Sequence, residues 1–321
     1  MYAIPYKTKQ FFFTLIKLSI VLGAFYFIYE KLTNNGSLSF YKFINLLNEN
    51  TVFSVKNIGF LVFLSIFNWF FEILKWQTLV SFVKKIAFKN ALEQSLGALT
   101  ASLFTPNRIG EYGAKAMYYT SNYRKHIMLI NLVNNVLQMS ITVIFGVIGI
   151  ILFTSIFSLD INYYRLSIIL LIILISIILV TFGIKSSMLT VKGISLKKIT
   201  RFILNYPKRK IVFAFLFSLI RYAIFSFQFY FLLHIFNIEI SYINAMVIIS
   251  SMYLLASIIP SIFIFDVAIK GSVAVYLFSF VHIDEVIILS ITTIMWILNF
   301  VLPGIIGSYY VLRFKLPKNP N

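Results

Sequence analysis

Long apolar stretches, separated by short polar and mostly basic connections, dominate the chain. Six windows are long enough to cross a hydrocarbon core, which takes roughly 20 residues: 10–30, 58–83, 127–157, 163–184, 210–237 and 285–312. Two further apolar segments, Asn90–Thr120 and Ser241–Val281, are broken near the middle by Thr105-Pro106-Asn107 and by Pro260-Ser261. Proline removes a backbone donor and disfavours helix in the residue before it. Each segment therefore predicts two half-helices meeting at a turn. The first pair has arms of about 15 and 11 residues, roughly 22 and 16 Å at 1.5 Å per residue. That is short of a core about 30 Å thick, which favours re-entry over crossing. The second pair has arms of 18–19 residues, so two crossings stay open there. Phe40–Glu49 and Leu196–Tyr206 alternate apolar with polar or basic residues, as short interfacial helices do.

Composition agrees with a membrane chain. Hydrophobic residues make up 60% and charged residues 12%, whereas a soluble domain carries about 25% charged residues. The start, basic and then apolar, has the outline of a signal peptide. Its apolar run is long, ends in Glu30-Lys31 and shows no small-residue cleavage site, so a retained first span is expected. There is no cysteine, which excludes disulfides and thiolate metal sites.

Charge sets the expected orientation. With the N terminus inside, 18 of the 28 basic residues fall on cytoplasmic loops and four on outer ones. This is a strong positive-inside bias, and it places both termini in the cytoplasm. Topology and anionic lipid account for most of the net charge of +18, and no nucleic-acid partner is implied. Six basic residues remain at membrane depth: Lys17, Lys75, Arg108, Lys115, Arg221 and Lys270. Of these, Lys17 is placed to snorkel to the surface.

The two broken segments resemble each other. ASLFTPNRIGEYGAK from Ala101 and ASIIPSIFIFDVAIK from Ala256 align at a constant spacing of 155, which pairs Glu111 with Asp266 and Lys115 with Lys270. At a spacing of 158, Gly146 and Gly149 meet Gly304 and Gly307. Three crossings per half would invert the second half relative to the first, a pattern of secondary transporters. The expected fold is an all-α polytopic membrane protein of two inverted repeats, 1–158 and 159–321. Each repeat has three spanning helices plus a broken, re-entrant helical hairpin.

Ionisable residues at membrane depth are costly and mark candidate sites. Asn107 or Thr105 is placed to cap a helix beginning near Gly110, whose N terminus would attract an anion. Arg108 offers a planar fork for phosphate, and Lys115 a point charge. Glu111 and Lys115, acid first at i, i+4, stand in the favourable order for a helical pair. The same two pairs, Glu111–Lys115 and Asp266–Lys270, can equally lock the hairpins. The spacing of Glu72 and Lys75 favours a structural pair, and Arg221 calls for a carboxylate partner, one from a hairpin being expected. The candidate substrate-binding set is Arg108, Glu111, Lys115, Asp266, Lys270 and Arg221. Arg108, with no acid at i−4 or i+4, is the member assigned to the anion. His126, His234 and His282 show no ligand spacing, so no metal is expected, and no other cofactor is called for. No nucleophile stands beside a base, so no catalytic residue is assigned.

TPNRIGEYGAK resembles the P-x-R-x-G-E signature of the lysylphosphatidylglycerol synthase transmembrane region, a flippase-like family of bacterial and archaeal membrane proteins. IPSIFIFDVAIKG and WILNFVLPGIIG extend the resemblance over essentially the whole chain. By this resemblance Pro106, Arg108, Gly110 and Glu111 match the first motif, and Asp266 stands where the second acid is expected. The glycine-rich turn usual before that acid is Ser261-Ile262-Phe263-Ile264 here. Only Arg313–Asn321 follow the last span, so the chain is not expected to be the synthase itself. The resemblance implies a translocator of an anionic phospholipid or lipid-linked headgroup across the bacterial plasma membrane. A lipid-synthesis enzyme is the implied protein partner. The alternatives are a non-catalytic membrane subunit of an envelope-lipid pathway and, less favoured, an integral membrane transferase acting on lipid carriers.

Overall fold

The computed structural model describes residues 54–103, 105, 108–157, 202, 204–258 and 263–317, with only isolated residues elsewhere; the side chains of 263–268 lie outside that description. In chain order the helices are α1 (Val55–Val80), α2 (Phe88–Ser102), α3 (Gly110–Met117), α4 (Ser121–Ile156) and α5 (Lys208–Ile235). Then follow α6 (Tyr242–Ile258), α7 (Phe263–Ser279), α8 (Glu285–Trp296), a π-helical segment (Ile297–Val301) and α9 (Leu302–Arg313). Outside the helices, Thr190–Val191 and Ile194–Ser195 form a two-residue antiparallel pair, a small departure from the all-α expectation.

Among the described residues, four helices are long and apolar enough to cross a membrane: α1, α4, α5 and the run from α8 through α9. They fall on four of the six expected windows; 10–30 and 163–184 lie outside the described residues, as do Phe40–Glu49 and most of Leu196–Tyr206. Both broken segments are helix pairs. The arms of the first are 15 and 8 residues and those of the second 17 each. The second pair's described arms span roughly 25 Å each and stop at residues 259–262, which lie outside the description, so crossing stays open there.

Local chemistry sets the ends. Ser54 caps α1 by accepting from the Asn57 amide at 3.3 Å, and Asp284 caps α8 by accepting from the Val286 amide at 2.7 Å. Asn237 and His282, at φ 57° and 56°, close α5 and α7 in the left-handed conformation. In both, the next amide reaches back five residues, Ile238 to Leu233 and Ile283 to Phe278, satisfying carbonyls the helix end would otherwise orphan. The π-helical segment ends two residues before Pro303, which has no N–H for a regular i to i−4 bond.

The distribution of side chains is inside-out. Phe63, Ile66, Phe67 and Phe70 of α1 are exposed, as are Val143, Val147, Ile148 and Ile151 of α4, while Asn68, Glu72 and Lys75 of α1 are buried. Water would penalise such a surface, whereas hydrocarbon favours it and confines charge to the interior. One apolar cluster gathers Leu232, Ile248, Phe278 and Ile291; another gathers Trp76, Leu79, Ile127 and Ile130.

Helix packing ties the N-terminal helices to the C-terminal ones. The main contacts are α1 on α5, α4 on α6 and α9 on α2. Glycines matched in the sequence sit in those last two seams. Gly149 of α4 lies against Ser250 and Ser251 of α6, and Gly307 of α9 against Leu96 and Thr100 of α2. A Cβ at either position would collide with the facing helix, so these seams close only because the residue is glycine.

Candidate functional site

The break after α2 places Arg108 in the left-handed region, at φ 55°. For an arginine this is an unfavourable backbone, of a kind that persists where surroundings over-determine it. The Thr105 hydroxyl accepts from the Gly110 amide at 3.0 Å, and the other expected cap, Asn107, lies outside the described residues. From Gly110 the chain turns into α3, which carries Glu111 and Lys115 inward, 4% and 0% exposed.

Glu111 is held from both sides. One carboxylate oxygen meets Lys115 at 2.7 Å and the other meets Arg108 at 3.0 Å. The expected i, i+4 pair is formed, and Arg108 also has an acid partner, at i+3. Lys115 is wholly engaged: it donates to Asn131 Oδ1 at 2.9 Å and lies 4.0 Å from the centre of the Trp76 ring. Trp76 Nε1 and the Tyr119 hydroxyl both donate to Gln94, at 2.8 and 2.9 Å, which fixes the wall behind the lysine.

A second charged group faces the first. Glu72 of α1 pairs with Lys75 at 2.8 Å and with Arg221 of α5, and accepts from Asn134 of α4 at 3.0 Å. The partner of Arg221 is therefore a carboxylate of a spanning helix and not of a hairpin. Arg221 also donates to Asn68 Oδ1 at 3.1 Å and to Gln138 Oε1 at 3.0 Å. From Asn68 a chain of amides runs on to Asn299 of the π-helical segment at 3.0 Å and from there to Gln228 of α5 at 2.9 Å.

Between these groups lies a polar cavity of about 130 Å³, lined on its charged side by Glu72, Lys75, Arg108, Glu111 and Arg221. Trp69, Ser95, Asn134, Asn135 and Gln138 complete its wall. Three cations and two carboxylates line it, and Lys115 behind Glu111 brings the charged group to four cations against two carboxylates. Both carboxylates already carry strong partners. Arg108 does not exhaust its donors: its Nε is buried without a hydrogen-bond partner among the described residues, while a third of the side chain stays exposed.

Of the sequence candidates, Arg108, Glu111 and Arg221 line this cavity, and Lys115 stands behind it as a brace. Lys270 does not join them. It lines a separate pocket among Phe225, Phe229, Tyr253 and Met295, with its ammonium 5.4 Å from the Phe300 ring. Asp266 falls within α7, and its side chain lies outside the described residues. Sequence reasoning read Glu72 and Lys75 as a structural pair and passed over the amides. The signal was present: Asn131, Asn134, Asn135 and Gln138 repeat at i, i+3, i+4 and i+7, one face of a helix that is otherwise apolar.

Comparison with known proteins gives one family. The lysylphosphatidylglycerol synthase TM region matches residues 14–307, nearly the whole chain. No curated protein matches it.

Proposed function

Since the chain belongs to the lysylphosphatidylglycerol synthase transmembrane-region family, we propose that it moves an anionic phospholipid or lipid-linked headgroup across the cell membrane. The observation that carries this reading is the excess of cations at the cavity. Glu72 and Glu111 orient the lining cations, and with Lys115 behind Glu111 four cations stand against two carboxylates, an excess of positive charge at membrane depth. Even the mildest scale charges about 2.5–3.5 kcal/mol for a charged residue at the bilayer centre. A phosphate docking on the exposed part of the Arg108 guanidinium would offset that charge.

The architecture supports transport. The two helix pairs are re-entrant hairpins entering from opposite faces, and the halves are inverted repeats, with both termini in the cytoplasm. Support comes from the arm lengths of the first pair, the glycine seams at Gly149 and Gly307, and the loop charge. In this reading Arg108 and Arg221 bind the headgroup, Lys75 adds field, and Glu111, Glu72 and Lys115 hold the cations in place. Native mass spectrometry of the gently purified protein tests it. Anionic lipid should co-purify with the wild type, be lost in Arg108→Ala and return in part in Arg108→Lys, where the planar fork is missing. Full retention of lipid by Arg108→Ala would remove the site from the proposal.

A further inference from the structure

Arg221 enters the cavity from α5, and part of what sets its direction does not line the cavity at all. Its Nε donates twice to Asn68 of α1, to the main-chain carbonyl at 3.2 Å and to Oδ1 at 3.1 Å. Asn68 donates from Nδ2 to Asn299 Oδ1 at 3.0 Å. Asn299 donates from Nδ2 to Gln228 Oε1 at 2.9 Å and to the Met295 carbonyl at 3.1 Å. Gln228 Nε2 ends the chain on the Leu61 carbonyl at 3.0 Å. Asn68, Asn299 and Gln228 are 4%, 2% and 0% exposed, and none of them lines the cavity.

Each amide in this chain can point only one way. A carbonyl accepts and cannot donate, so Leu61 turns the amino end of Gln228 towards itself, and Met295 does the same to Asn299. What Asn299 presents onwards is then an oxygen. That oxygen draws the amino end of Asn68 and leaves the Asn68 oxygen for Arg221. The far end agrees, because a guanidinium nitrogen donates and cannot accept. Reversing Asn68 would set donor against donor at Arg221 and oxygen against oxygen at Asn299.

The π-helical segment is pinned to α1 at the same point. Ser65, Asn68 and Trp69, at i, i+3 and i+4 on one face of α1, all bond to it. Ser65 donates to the Leu298 carbonyl, Asn68 to the Asn299 side chain, and Trp69 Nε1 to the Asn299 carbonyl at 3.0 Å. Trp69 lines the cavity, so Asn299 stands one contact behind its wall.

Resting on the reading of Arg221 as a ligand of the anionic headgroup, we infer that Asn299 is a positioning residue of that site. It holds the Asn68 amide with its oxygen towards Arg221 and so aims the guanidinium, without touching the cavity itself.

Native mass spectrometry of the full chain tests this with two lipids: phosphatidic acid, whose headgroup is a phosphate alone, and phosphatidylcholine, which has no net charge. A loss of packing lowers the binding of both, whereas a misdirected Arg221 lowers their ratio. Asn299→Leu, which offers Asn68 no oxygen, should reduce the ratio about tenfold, the size of one lost hydrogen bond to a charged group. Asn299→Asp presents an oxygen to Asn68 in either protonation state and should keep most of the ratio, even where thermal stability falls as far as in Asn299→Leu. Arg221→Ala should lower the ratio, and adding Asn299→Leu to it should lower it no further, as for residues that act through one contact. If Asn299→Leu fails to fold, Asn299→Ser, whose hydroxyl stops one bond short of Asn68, takes its place. An unchanged ratio in Asn299→Leu, an equal loss in Asn299→Asp or a further loss in the double variant overturns the positioning role and leaves the anion reading standing. No preference of the wild type for phosphatidic acid overturns the anion reading itself.

Discussion

The two helix pairs carry the same acid–lysine spacing, Glu111 with Lys115 and Asp266 with Lys270, yet they border different interiors. Beside the first is a charged cavity; beside the second is a pocket of Phe225, Phe229, Met295 and Phe300 into which Lys270 reaches. The difference comes from the neighbouring spans. Counted at the repeat spacing of 155, Glu72 and Lys75 of α1 correspond to Phe227 and Tyr230 of α5. At 158, Asn134 and Gln138 of α4 correspond to Thr292 and Trp296 of α8. A repeated motif thus does not make a repeated site. The lysine of the first pair stands behind a polar cavity, and that of the second reaches a pocket of aromatic rings.

The largest effect expected from this asymmetry is at Glu72. Glu72→Ala strips Lys75 and Arg221 of their shared carboxylate and leaves a buried lysine facing a partly buried arginine. Removing one partner of a buried pair costs about 3–5 kcal/mol, and thermal unfolding in detergent should show a large loss of stability. Phe227→Ala, at the corresponding position of the second half, lies on a partly exposed surface and should cost far less. Similar losses at the two positions would erase the asymmetry.

The seams between the halves should respond alike, which makes them an internal control. Gly149→Ala and Gly307→Ala each force a methyl into a facing helix, against Ser250 and Ser251 in one seam and Leu96 and Thr100 in the other. Overpacking of this kind costs about 1–3 kcal/mol. Matching destabilisation of both variants supports reciprocal halves, and a loss at only one position speaks against them.

A smaller effect distinguishes backbone from charge at Arg108. Glycine accepts a φ of 55° without the Cβ penalty, which is about 1–2 kcal/mol for other residues. Arg108→Gly should therefore be more stable than Arg108→Ala by about 1 kcal/mol, while both lose the guanidinium. Equal stability of the two would mean that the turn carries no strain.

How much of this was legible in the sequence follows from what each feature costs. Spans and breaks were readable because bilayer thickness sets helix length and proline interrupts it, so α1, α4 and α5 lie close to the expected windows. Arg108, Glu111 and Lys115 stood out because charge at depth is expensive, and their local pairs followed from helical spacing. The meeting of Glu72 with Arg221, 149 positions apart, depends on how α1 and α5 are rotated against each other, and helix packing decides that. Lys270 was expected beside the first hairpin by analogy with Lys115. The helices around Lys270 differ from those around Lys115, and its pairing with Asp266 lies outside the described residues. The amides of α4 were readable by period but are neutral, and a search led by charge passes over them.

The most direct measurement is the movement of a headgroup-labelled anionic lipid between leaflets of vesicles containing the purified protein. Three proteins belong side by side: wild type, Arg108→Ala and Lys270→Met. The account predicts movement with the wild type, near-complete loss with Arg108→Ala, and little change with Lys270→Met. Loss with Lys270→Met and normal movement with Arg108→Ala would place the working site in the second half and contradict the account.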